Sequence, residues 1–267
     1  MPVFNGQVAI KDIYQTIYNQ IISTGLWTNV SSLNTDGCLK STGTSGTDNI
    51  FAVIRANNTT TTNTQQSLIT GIAENYVAGA SGTAGTFTNL ITNNHHLWST
   101  SGSYDYNNKV QYWLLVDADC IILATITDPL VANAITNLTY LGLPKRYSQE
   151  SDSTANCMAQ ACSALVNNNV IKVLKNRALA VNQNYTAYTL TTPYNPGWGD
   201  KYAAYPILIG LSNEGFRGEL KYLLCAPAQN VVNLDTITVD TANYKVFLTS
   251  SAGYSSFPTK CLLLPIS

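Results

Sequence analysis

Two histidines, His95 and His96, and six cysteines, at 38, 120, 157, 162, 225 and 261, supply the nucleophile, base and metal-ligand chemistry open to this sequence near neutral pH. A thiol hydrolase would pair Cys157 or Cys162 with one of the histidines, but no local signature of such an enzyme surrounds either cysteine. Zinc sites use a shorter spacing than Cys157-x4-Cys162 and need a second pair of ligands. In a strand, adjacent His95 and His96 point to opposite faces, so they do not grip one ion together. Cys120 lies in DCIILA and Cys225 in YLLCAP, apolar settings that predict buried thiols. An even cysteine count suggests disulfides in a secreted chain, but this chain is long and shows no basic-then-apolar leader.

The carboxylates are equally unassertive. Asp117-Ala118-Asp119 offers a carboxylate pair or two calcium ligands, yet it lacks the further Asp/Asn ligands and terminal Glu of a calcium loop. It reads as a polar turn, where Asp bonds the local backbone. Gly43-Thr44-Ser45-Gly46 lacks the Gly-Lys-Ser/Thr ending of a phosphate loop and leads into a strand, so it reads as a plain loop. Glycosidase chemistry needs two placed carboxylates, and nothing among the 15 Asp and Glu marks such a pair. Arg217 and Glu219 read as an ion pair, within the chain or between subunits. Tyr185, Tyr188, Tyr194, Trp198 and Tyr202 are of the kind that stacks on sugars or fills interfaces, with core and interface packing as the simpler reading. The sequons at Asn29, Asn58, Asn137 and Asn184 follow from an Asn- and Thr-rich composition.

The elements that must position these residues are mostly strands. Residues 8–24 carry Ile13, Ile17 and Ile21 at helical spacing, with Tyr14, Tyr18 and Ile22 one step round, and Gly25 as the stop. This predicts one amphipathic N-terminal helix. Period-two, β-branched runs then predict strands at 26–30, 50–56, 110–116, 120–127, 205–212, 219–226, 235–240, 244–250 and 261–266. Segments 110–127 and 235–248 read as hairpins. Val131, Ala134, Ile135 and Leu138 predict a short helix within 129–141, and 165–181 fits helix or strand. Stretches 36–49, 57–66, 77–86 and 182–202 read as loops. The expected fold is mainly β, a sandwich-like body of antiparallel sheets with the one helix. A division near 145–160 would give units of 1–150 and 151–267.

Four segments carry a resemblance: LKSTGTSGTDNIFAVIR (39–55), YWLLVDADCIILATI leading to YLGLPKRYS (112–148), ELKYLLCAP with DTITVDTANYKVF (219–247), and FPTKCLLLPI (257–266). In order and kind they resemble a family of virion structural proteins of tailed bacteriophages. The resemblance implies a non-enzymatic component of the tail or neck, at the head–tail connection, terminator, collar or baseplate. It brings no catalytic residue and no cofactor.

Composition points to assembly. The chain has 267 residues, of which only 11% are charged, and a net charge of −1. Ser, Thr and Asn make up 80 of them. A phosphate-binding surface needs clustered Lys and Arg, so nucleic acid is not an expected partner. No apolar run of membrane-spanning length exists, so no membrane partner is expected. A near-neutral surface has little self-repulsion and suits a protein that lies against others. The resemblance implies as partners copies of itself and other virion proteins, in a symmetric oligomer made in the host cytoplasm and located in the virion. The expected assembly contacts are the helix (Ile13, Tyr14, Ile17, Tyr18), the polar loops (Thr44, Ser45, Asn58, Thr60) and Arg217 with Glu219. Under the alternative, a peripheral receptor-binding or decoration protein, the five aromatics would meet a host-surface glycan.

Overall fold

The computed structural model describes residues 1–57, 67–97, 107–127, 135–147, 157–162, 170–188, 204–228, 231–248 and 260–266; at Cys162, Val170 and Tyr188 it describes the backbone. The protein is mainly β, with antiparallel pairing throughout these residues and one N-terminal helical segment. Strand β1 (Val3–Ala9) turns through a 3-10 segment (Ile10–Asp12) into α1 (Ile13–Ser23). Val8 and Ala9, predicted helical, therefore belong to a strand. Helix α1 buries Ile13, Ile17 and Ile21. It ends at Gly25, whose φ of +70° suits a residue without a Cβ and whose N–H donates to the Ile22 carbonyl at 3.0 Å.

A five-stranded sheet follows: β2 (Thr28–Asn29), β3 (Cys38–Ser41), β4 (Ile50–Ala56), β5 (Ser67–Ala73) and, after the ribbon β6 (Asn75–Val77) and β7 (Thr86–Thr88), β8 (Ile91–His96). Its order is β2-β3-β4-β5-β8. The larger sheet comprises β1, β9 (Lys109–Val116), β10 (Cys120–Thr127), β11 (Thr136–Gly142), β12 (Lys145–Arg146), β13 (Ala159–Cys162), β14 (Val170–Lys175), β15 (Val181–Tyr188), β16 (Tyr205–Leu211), β17 (Gly215–Pro227), β18 (Thr236–Val239), β19 (Ala242–Phe247) and β20 (Lys260–Pro265). Its order is β1-β9-β10-β11-β13-β14-β15-β16-β17-β20-β19-β18, with β12 also on β17. The β11–β13 ladder, from Thr139↔Cys162 to Gly142↔Ala159, carries this sheet across residue 150.

The short helix predicted around 129–141 is corrected. Residues 136–142 form β11, and the rest of that prediction, up to residue 134, lies outside the described residues. Thr136, Thr139 and Tyr140 are strand formers, and alternation across the pleat sends Leu138 and Tyr140 to one face, Thr139 and Leu141 to the other.

Strand β12 follows directly from β11 and pairs with β17, at Lys145↔Glu219 and Arg146↔Gly218. The path β11-β13-β14-β15-β16-β17 thus returns to its own start. Inside this circuit lie Leu138, Tyr140, Ala161, Ile171, Val173, Ile207, Ile209, Leu220 and Leu223, all buried. On the other side of β9, β10 and β11, the helix and the five-stranded sheet cover Leu114, Val116, Ile121, Leu123 and Leu141. These strands are buried on both faces, so CIILATIT reads as a continuous apolar run. Each fully buried Ile or Leu here contributes roughly 1.5–3 kcal/mol.

Candidate functional site

The turn between β9 and β10 is a junction for three distant segments. Trp27 Nε1–H donates to the Asp117 carbonyl at 2.8 Å, and the Ser41 hydroxyl donates to the Ala118 carbonyl at 2.6 Å. Asp119 accepts the Thr44 N–H at 2.7 Å and its hydroxyl at 2.8 Å, and pairs with Lys221. The Tyr222 hydroxyl donates to Asp117 at 3.0 Å. Burial raises the Asp119 pKa, but the Lys221 ammonium and the two Thr44 donors outweigh it and hold the carboxyl below its usual range. Gly142 closes the back of the turn. Its φ is +128°, and a Cβ there would stand 2.2 Å from the Asp119 carbonyl oxygen. The polar turn read from the sequence is thus also an anchor for loop 42–48 and for β17.

A second polar group lies between the two sheets. His95, on β8, is 0% exposed, and its ring nitrogens bond Thr139 on β11 (2.8 Å) and Thr125 on β10 (2.7 Å). Alongside, Asn137 Nδ2 donates to the His96 carbonyl at 3.0 Å and Gln160 Nε2 to the Thr70 carbonyl at 2.8 Å. Burial, with the neighbouring His96 second, lowers the His95 pKa to about 3, so the ring is neutral. His96 is only half-buried, on the opposite face, as adjacency in a strand requires.

The third group surrounds Arg217, which is 4% exposed. Its Nη1 donates to the Lys175 carbonyl at 2.8 Å and the Tyr185 hydroxyl at 3.3 Å, and its Nη2 meets Cys157 Sγ at 3.5 Å. Tyr185 in turn donates to Glu214. A cavity of about 10 Å³, room for a single water, lies between Arg217, Arg146, Cys157 and Ile209. Glu219 instead takes Lys145 at 2.9 Å and the Tyr147 hydroxyl at 2.5 Å, while Arg217 goes to Lys175, Tyr185 and Cys157, so the two charges expected to pair are bonded to different partners.

Several sequence-derived contacts change character. Ile13 and Ile17 are core residues at 1% and 0% exposure, and Tyr14 and Tyr18 pack against that core, so the apolar helix stripe is satisfied within the chain. Tyr185 is buried and cannot meet an external glycan. Asn58, Thr60, Tyr194, Trp198, Tyr202 and the Tyr188 side chain lie outside the described residues. Thr44 is bound to Asp119, while Ser45 is exposed and bonds within its own loop, at 3.2 Å from Thr47 Oγ1. The loop after β6 is held from inside. Asp36 accepts the Tyr76 hydroxyl at 2.6 Å and the Gly85 N–H at 3.0 Å, and Ser32 accepts the Gly79 N–H at 2.6 Å. Neither Asp36 nor the His95 pairing is marked in the sequence, because both depend on partners far along the chain.

Cys38, Cys120, Cys157, Cys225 and Cys261 are buried free thiols. Burial, with Asp36 second, pushes the Cys38 thiol up to about 12. Among the described residues no group of three or more His, Cys, Asp or Glu side chains is placed to hold a metal ion, and no helix is long and apolar enough to cross a membrane. No protein-family model matches the chain, and no curated protein matches its sequence.

Proposed function

We propose that this chain is a mechanical component of a larger assembly, a virion structural protein of a tailed bacteriophage that works as a symmetric oligomer in the tail or neck. The observation that carries the reading is how its few charges are used. Lys145–Glu219, Lys175–Glu74 and Lys221–Asp119 join residues 74, 101 and 102 positions apart. Arg217, among the few cations of the sequence, is buried in the same service. Charges that tie the chain to itself leave an outer surface dominated by Ser, Thr and Asn, with little repulsion between copies. The four resembling segments support the phage assignment, and the partners it implies are other copies and other virion proteins.

The test is sedimentation velocity of the full chain, together with a map of a native particle that locates and counts its copies. A defined multimer and a symmetric set of copies are expected. A chain that stays monomeric at high concentration and is missing from particles overturns the reading.

A further inference from the structure

Besides the two-residue, charged branch β12, four strands end the paths of the two main sheets, and their outer edges are finished differently. Strand β2 is two residues long. In β8, Asn93 Oδ1 accepts the N–H of Asn94 at 2.9 Å, so a side chain takes a donor that a docking strand would need. Strand β18 is four residues long, between Asp235 and Asp240. Strand β1 has none of these stoppers. Its seven residues, VFNGQVA, contain no charge and no proline, and its ladder to β9 runs without a bulge from Val3↔Leu115 to Ala9↔Lys109. Short length, charge, proline and bulges are the devices by which edges avoid pairing with other chains.

The register shows which backbone groups face outward. The Val116 N–H donates to the Pro2 carbonyl at 3.1 Å, and the Ile10 N–H to the Asn108 carbonyl at 2.9 Å. In an antiparallel ladder bonded pairs alternate, so the even-numbered residues of β1 bond to β9. The N–H and C=O groups of Val3, Asn5, Gln7 and Ala9 therefore point away from the sheet. Among the described residues no strand meets them, and the central Asn5, Gly6 and Gln7 are exposed.

Building on the assembly reading, we propose that β1 is a self-pairing edge. It forms an antiparallel ladder with β1 of a second copy about a twofold axis at Gly6. This register sets Val3 opposite Ala9 and Asn5 opposite Gln7, each pair with both backbone groups turned towards the other strand. Two carboxamides, each donor and acceptor, then face each other across the junction. The non-bonded position on the axis, where chains come closest, is Gly6. The neutral strand meets its own neutral copy, and a self-complementary patch closes as a dimeric contact.

Charge reversal across the twofold tests this in the full chain. N5K/Q7K places like charges opposite each other and is expected to weaken self-association at least about tenfold. N5K/Q7E places opposite charges there and is expected to restore it. Q7P removes an outward N–H without touching the β9 ladder and is expected to act like N5K/Q7K. An unchanged thermal transition shows that each variant folds. Hydrogen exchange is expected to show the Asn5 and Gln7 amides protected in the wild-type multimer and fast in N5K/Q7K. A multimer that survives both N5K/Q7K and Q7P overturns the β1 edge while the assembly reading stands. A wild-type chain that never self-associates overturns both. Protection of those amides in a diluted monomer also overturns the edge, since the chain's own residues then cover it.

Discussion

The two faces of β9, β10 and β11 are built on opposite principles. One face, towards the interior of the sheet circuit, is apolar: Trp113, Leu115, Ile122, Leu138 and Tyr140. The other begins apolar under α1, at Leu114, Ile121 and Leu123, then becomes polar towards β8, at Thr125, Asn137 and Thr139. Apolar contact gives adhesion in proportion to area and tolerates sliding. A histidine with a threonine at each ring nitrogen is satisfied in one position only. The circuit thus supplies cohesion, while the polar side fixes where the small sheet sits.

The largest effect tests cohesion. Ile122→Ala is expected to cost about 2–5 kcal/mol, through lost transfer energy and the cavity left behind. Denaturant unfolding checks it, and a loss below the range would mean that the circuit can collapse around the gap. Next comes acid. His95 sits near 3 when folded and 6.5 when unfolded. The unfolded chain therefore binds more protons between these values, and stability falls as pH drops from 6.5 towards 3, by about 1.4 kcal/mol per pH unit. Half-buried His96, also lowered by burial, adds in the same direction. Asp36, Glu74, Asp119 and Glu219, all lowered, lose their stabilising contribution only once pH falls through the carboxylate range. The interval above that range therefore belongs to the histidines. His95→Gln is expected to flatten stability there, and an unchanged profile would remove His95 as the source.

Thr125→Val keeps the shape but leaves a buried ring nitrogen without its partner, an expected cost of about 1–3 kcal/mol. A neutral result would show that the polar side does not fix register. The smallest effect is on the outside. Lys145 has 64% of its side chain exposed, so Glu219→Gln is expected to cost no more than about 1 kcal/mol, and less in high salt.

Much of the β framework was legible. The hairpin at 109–127, strand β4 and strands β16 and β20 each carry an apolar, β-branched run bounded by polar turns, and local pattern sufficed. What escaped was polar burial. β8 reads ITNNHH, with its buried His95 looking like any surface residue, and β11 reads TNLTYLG, whose inward Asn137 and Thr139 break the apolar alternation. The helix pattern was visible, but the cover over Ile13 and Ile17 comes from residues far along the chain. Asp119 was recognisable as a turn residue, while its role as an anchor depends on Thr44 and Lys221, 75 and 102 positions away.

That last span has a kinetic meaning. A ribosome adds about 5–20 residues per second, so roughly 5–20 s pass between the making of Asp119 and that of Lys221, 102 positions later. During this wait both strands of the β9–β10 hairpin and Thr44 exist, while the cation that pairs with Asp119 does not. Strand β17 is made late and closes the circuit through β12, so the circuit has no means of closing before residues 215–227 are made.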